Sequence, residues 1–556
     1  MTAPAPAPSS ARPSPFGPLR EPDFRRIWAA SLLSNFGYLI LGVGAAWHMT
    51  RTTGSPTLVA LVQSALMLPL MLVSVPAGAI ADMFDRRKVA LTGLGFACIC
   101  ATTLTLLTMS GLENAFMLLG FCVLIGVGGA LYSPAWQASV REQVSPEHLP
   151  AAIGLASISY NIARSFGPAV GGLVVAVAGA GAAFATNALG YLPLILAFFL
   201  WRRKPVPSRL PPERLDRAIA AGARYVFNAP SVRTVMLWAL STGVGTASIA
   251  ALLPIIARDM VGGGAGTYGL LLGCQGAGAV VGALLLPGAR ERFGDRMTIS
   301  LCAFGTGVTI LTFGFSHMLL LAAAAIAIFG AAQMVMVSIL NLSVQMSVPR
   351  WVTARALSWY QSALTGGIAV GAWLWGDLAG SYGISAAMTI SGCAMLALPL
   401  LHLLLPLPRI EPNEIELVEL AHTPEVALAL TPRSGPIVIE VDHHVDPATA
   451  REFYMVMMDL HRARRRNGAR NLSLARNIAD PTLWTERYHF ATWNDYFLHR
   501  ERQTKSDLAL QQHARSLTLA GSEAVVRRML ERPFGSVRWR SETPDPGDEP
   551  IPIYAP

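Results

Sequence analysis

Two long stretches of this chain contain no Asp, Glu, Lys or Arg: Ser165 to Trp201 and Met297 to Pro349. Each has room for two membrane spans, because one helix needs about 20 apolar residues to cross the hydrocarbon core. A water-soluble fold could not hide that much apolar surface. The rest of the 556 residues agrees, with 14% charged residues where soluble domains carry about 25%. Apolar runs between charged or Pro/Gly punctuation predict twelve spans. The first six lie at 27–48, 57–80, 89–110, 115–138, 153–178 and 180–201. The other six lie at 234–257, 267–288, 297–315, 318–342, 355–376 and 382–405.

Charge supplies the orientation. Basic residues gather in alternate loops: Arg86, Arg87 and Lys88; Arg141; Arg290, Arg292 and Arg296; Arg350 and Arg355; and a central loop from Arg202 to Arg233. The opposite loops carry only Arg51 and Arg258. The positive-inside rule then places both termini in the cytoplasm. It also accounts for much of the net charge of +9 without a nucleic-acid partner. The six cysteines all fall in apolar segments without metal-ligand spacing, so they read as small buried hydrophobes. Six-helix halves at 20–201 and 234–408 flank a cytoplasmic linker, 202–233, in which Pro212 to Asn228 has helical spacing. Residues 1–19 read as a disordered tail.

From Glu411 the character changes. A Pro-containing linker at 409–434 leads to a soluble region at 435–541, and 542–556 reads as a second disordered tail. Strands are expected at 436–441, 469–477 and 484–490, and a last one at 536–540. Helices are expected at 447–466, 493–517 and 523–530. The order implies an α+β domain, ferredoxin-like, with helices on one face of an antiparallel sheet. His443, His444, His489, His499 and His513 lack a ligand spacing, so no metal, cofactor or catalytic set is assigned.

Gly78, Asp82, Asp85, Arg86 and Arg87 close the second span, and Asp295 with Arg296 echoes them after the eighth. This pattern resembles the loop motif of the major facilitator superfamily, in which acid and Arg pair latch helix ends on the cytoplasmic face. Gly154, Gly167, Pro168, Gly171 and Gly172 in the fifth span resemble the antiporter motif of that superfamily's drug exporters, with Ala163 replacing one glycine. Small residues at this spacing allow close helix packing. Phe24 to Arg26, Asn35 to Gly37, Thr53 to Pro56, Leu68-Pro69 and Pro76 to Gly78 are similar to the subfamily of the enterobactin exporter and macrolide-efflux proteins, called transmembrane secretion effectors. That resemblance covers residues 19–408. The region after 435 is similar to small dimeric α+β barrels of the antibiotic-biosynthesis-monooxygenase type, which implies self-association through this domain.

Polar and aromatic residues within spans are costly, so each is a site candidate. They are Asn35, Tyr38, Gln63, Tyr132, Trp136, Gln137, Tyr160, Asn161 and Arg164, with Gln275, Gln333, Asn341, Tyr360 and Gln361 in the second half. Arg164 alone brings a full charge deep into a span, and the loop-end acids Asp82 and Glu142, or a bound anion, are its candidate counter-ions. The first span holds Asn35 and Tyr38 where proton-coupled drug exporters have an acid, so proton coupling stays open. The resemblance implies a secondary exporter of an amphipathic small molecule, a drug-like compound or siderophore, in the cell (inner) membrane and in contact with the bilayer. The second reading is an exporter fused to a small monooxygenase-like enzyme that modifies its cargo.

Overall fold

The structure, a computed structural model, describes residues 16–202, 215–349, 352–401, 405–407, 418, 426–519 and 521–531. The strand expected at 536–540 and both terminal tails fall wholly or largely outside them. The chain divides into two compact units. The first is Met1–Ile219 with Met236–Leu342 and Ser358–Leu407; the second is Ala220–Val235 with Ser343–Leu357 and Pro408–Pro556.

The first unit is built of long apolar helices. They are α1 (Pro22–Thr52), α2 (Pro56–Met83), α3 (Arg86–Met109), α4 (Ala115–Gln143) and α5 (Leu149–Leu200). After α6 (Leu215–Asn228) come α7 (Pro230–Ile255), α8 (Ala265–Phe315), α9 (Leu319–Gln345), α10 (Thr353–Tyr382) and α11 (Ile384–Ala397). Local chemistry sets several starts. Ser55 and Asn114 accept backbone N–H bonds at the heads of α2 and α4, the usual work of an N-cap. Among the described residues, eight helices are long and apolar enough to cross a membrane.

Two of these, α5 and α8, run for 52 and 51 residues, about 75 Å at 1.5 Å per residue and more than twice a hydrocarbon core of about 30 Å. Each is interrupted by one glycine at positive φ, Gly179 (79°) and Gly294 (73°). Side-chain bonds and packing show that the chain reverses there. Gly171 packs on Ile40 and Val43 of α1, and beyond the break Gly190 packs back at Leu33. Thr298 Oγ1 donates to the Ala289 carbonyl across the Gly294 break, at 3.2 Å.

The second unit contains a four-stranded antiparallel sheet. Its elements are β1 (Ile437–His444), α12 (Ala450–Arg466), β2 (Arg470–Arg476), β3 (Leu483–Phe490), α13 (Trp493–Glu501), α14 (Lys505–Ser516) and β4 (Val525–Leu530). The strand order is β2-β3-β1-β4. Two expectations are corrected. The single helix expected at 493–517 is two, because Thr504 and Asp507 form a capping box that starts a new helix. Residues 523–530, expected as helix, contain β4, where pairing with β1 overrides helical spacing.

Between α12 and the sheet this domain buries ionised groups. Glu486 is fully buried, and its carboxylate lies 2.9 Å from Arg464 and 3.1 Å from His461. Burial opposes the charge on Glu486, but Arg464, His461 and His443 together outweigh it and hold the carboxyl below its ordinary range. His443 and His499 are buried beside this cluster. Burial lowers the pKa of His443, and burial with Arg464 pushes His499 down to about 3. A depressed histidine stabilises the fold above the unfolded pKa near 6.5, and that contribution is lost as pH falls below it. Between pH 7.5 and 5.5 the loss at His499 should therefore cost the domain on the order of 1 kcal/mol, and His443 acts in the same direction. Hydrogen exchange of β1 and β3 peptides in the full chain, corrected for intrinsic rate, should show the loss, and His499→Phe should flatten it. Equal protection at both pH values would refute the assignment.

Candidate functional site

Within the first unit the two halves meet along two seams. On one, α5 crosses α8 with backbones almost touching. A Cβ on Gly172 would lie 2.1 Å from the Gly269 Cα, and one on Gly276 would lie 2.0 Å from the Ser165 carbonyl oxygen. On the other, α2 packs on α10. Ser64 Oγ donates to the Ala369 carbonyl (2.7 Å), Thr57 Oγ1 donates to that of Gly376 (3.3 Å), and Gly366 faces Met71. Among the described residues, these seam contacts reach Ser165 on α5 and Met71 on α2. Ile153, Ile158 and Tyr160 on α5, Leu72 on α2 and Leu284 on α8 are exposed. The space between the halves towards the start of α5 is the cleft, and these seam contacts mark its closed end.

Arg164 stands at the closed end, next to the last seam contact. It is half-buried and within electrostatic range of the Tyr360 hydroxyl on α10. Among the described residues it has no carboxylate partner. Glu142, one of its candidate counter-ions, instead pairs with Arg86 at 2.9 Å; the side chain of Asp82, the other, lies outside the described residues. Tyr360 is buried and donates to the Val337 carbonyl (3.1 Å). Tyr160, Asn161, Gln137 and Gln361 are exposed, and Gln63, Asn35 and Asn341 are half-buried. Gln275 bonds Gln333 at 3.4 Å, and Tyr38 donates to the Leu66 carbonyl at 3.3 Å. Trp136 packs between Phe24 and Phe198, with Tyr132 edge-on to Phe198. On α5, Gly167 and Gly171 face α1, Gly172 faces α8, Ala163 is buried, and Gly154 has no close neighbour. Pro168 is half-buried among them.

The loop motif resolves into separate jobs. Asp85 caps α3, accepting from the N–H groups of Arg87 (2.9 Å) and Lys88 (3.3 Å). Arg86 reaches Glu142 and the Ala138 carbonyl on α4, both at 2.9 Å. Arg87 donates to the Phe198 and Phe199 carbonyls at the end of α5, where the helix dipole favours a cation. Gly78 has no close neighbour. In the second half Asp295 takes a two-pronged contact from Arg290, at 2.5 and 3.1 Å, rather than capping a helix start as Asp85 does. Arg296 is exposed.

Sequence reasoning missed three features of this unit. Asp377 lies inside α10, one residue past the expected span end. His48 on α1 pairs with Glu113, which Thr108 also contacts. Arg258 donates from the π-helical turn Ile256–Met260 to the Thr50 carbonyl across the two halves, while gripping Asp259. Its isolation among the loops was the only signal.

Paired helical halves around a central cleft define a major facilitator transporter. A family described as "Transmembrane secretion effector" matches residues 13–534, and the chain belongs to that family. Relatives include the enterobactin exporter EntS of Shigella boydii serotype 4 (strain Sb227), 26% identical over 69% of this chain and 91% of the relative. The staphyloferrin A transporter of Staphylococcus aureus (strain NCTC 8325 / PS 47) is 24% identical over 53% of this chain and 74% of the relative. Among solved structures, a POT family transporter in complex with 5-aminolevulinic acid has a TM-score of 0.57 at 13% identity, covering 71% of this chain and 97% of its own. The nucleoside transporter NupG has a TM-score of 0.54 at 12% identity, covering 69% and 99%. At these identities the solved structures share the fold alone. The chain is thus a multi-pass membrane transporter of small molecules.

The cap and the charge of Asp85 can be separated. Asn caps as well as Asp, whereas Ala loses about 1 kcal/mol. Asp85→Asn should keep the detergent melting temperature yet impair transport, and Asp85→Ala should lower both. Normal transport by Asp85→Asn would remove the charge from any latch role.

Proposed function

We propose that this protein exports an anionic, amphipathic small molecule of the siderophore class across the cytoplasmic membrane by alternating access. The observation that carries this reading is Arg164, half-buried at the closed end of the cleft with no carboxylate partner among the described residues. A permanent cation at that depth costs roughly 2.5–3.5 kcal/mol even on the lenient insertion scale. A cargo carboxylate or similar oxyanion would offset it. The relatives, an enterobactin exporter and a staphyloferrin A transporter, support the substrate class.

The reading takes the chain as twelve spans. Reversal at Gly179 and Gly294 turns two of the eight long helices into four, and α10 with α11 completes the count. With the arginine-rich loops inside, both termini are cytoplasmic and the cleft opens to the cytoplasm, as an exporter awaiting cargo requires. In this reading the C-terminal domain is ferredoxin-like; its strand order β2-β3-β1-β4 supports that.

Cells with and without the protein, with and without a proton uncoupler, would be compared for accumulation of matched anionic and neutral siderophore analogues. Arg164→Gln should weaken export of the anionic member at least tenfold and the neutral one little. Arg164→Lys should recover only part, since lysine lacks the planar fork that grips two oxygens. Equal losses for both, with a marked fall in melting temperature, would make Arg164 structural and defeat the anion reading.

A further inference from the structure

The second unit holds more than the C-terminal domain. It also contains Ala220–Val235, which includes the end of α6 and the first turn of α7, and Ser343–Leu357. Both segments belong in sequence to the connections of the helical halves; α6 lies in the one chain segment that joins half to half. Two adjacent α6 residues engage one turn of the domain, the turn between α12 and β2. Tyr225 is 3% exposed, and the Arg466 guanidinium lies over its ring at 5.5 Å. Arg224 Nη1 donates to the Gly468 carbonyl at 3.4 Å.

The socket is rigid. Arg466 is tied to Asp507 at 2.7 Å, and Asp507 is 3% exposed. Asn467 bonds the other Asp507 oxygen at 3.3 Å, and the same carboxylate closes the capping box of α14 with Thr504. An aromatic ring set on a guanidinium that is already fixed by a buried acid gains cation–π energy without new ordering. Burial, more than Arg466 or Asp507, sets the Tyr225 hydroxyl, pushed up to about 12, so the ring docks neutral.

We propose that the C-terminal domain is an intramolecular clamp on the linker between the halves, with Tyr225 as its pin, and that it slows the switch between cleft orientations. The proposal rests on the transport reading above. Rocking of two halves changes the path of the segment that joins them. A domain that buries part of that segment must let go or move with it, and either adds to the barrier.

The test uses the full chain in lipid nanodiscs, in a cysteine-free background, with Ser145→Cys and Arg292→Cys carrying a dye pair. Single-molecule energy transfer reads switching frequency, and limited proteolysis reads access to the linker. Tyr225→Ala should speed linker cleavage about tenfold and raise switching at least threefold. Tyr225→Phe keeps the ring and should match the unchanged chain in both. Linker cleavage of Tyr225→Ala within twofold of the unchanged chain, or switching unchanged or slower, would overturn the clamp. An unchanged chain fixed in one state would instead remove the transport reading, while the cleavage arm still decides whether the domain docks on α6.

Discussion

The contact between Gly172 and Gly269 is the constraint on which the rest of the transmembrane unit depends. Lipid gives helices no hydrophobic reason to associate, so they are held by packing that only small residues permit. Where the α5 and α8 backbones touch the halves are joined, and Arg164 directly precedes Ser165 in that seam. An apolar crevice of about 540 Å³ lies along the same seam, lined by residues such as Ala169, Leu173, Gly273 and Cys274.

Much of this was legible in the sequence for physical reasons. Charge-free stretches report spans because burying an ion in hydrocarbon is so costly, and the apolar runs anticipated the long helices of the first unit. The loop motif was legible as a motif, but not as a division of labour. Nothing in the spacing of Asp85, Arg86 and Arg87 says that one caps, one reaches α4 and one meets the end of α5. Partners distant in sequence stayed hidden for the same reason: Glu142 was one of several candidates for Arg164 and pairs with Arg86. The β4 strand was misread because its residues carry no local preference strong enough to outweigh pairing with β1.

The C-terminal domain was legible as an element list and illegible as a participant. Its helices and central strands follow from alternation and helical spacing. Tyr225, by contrast, lies in a segment that showed only helical spacing, and its burial against Arg466 is what distinguishes it. The buried Glu486 with Arg464 and His461 was likewise unreadable. An acid in a strand is ordinarily placed on the solvent face, and its inward orientation depends on α12 supplying the cation.

The single-glycine reversal at Gly179 also bears on how the protein is made. No hydrophilic segment separates the limbs on either side of it, and the whole stretch from Ser165 to Trp201 carries no charge for the insertion machinery to read. On the twelve-span reading proposed above, the two limbs would enter the bilayer together as one hairpin, with Arg141 and Arg202 left on the same side of it. A charge introduced at the tip would then be carried across during synthesis and would tax biogenesis before it touched transport.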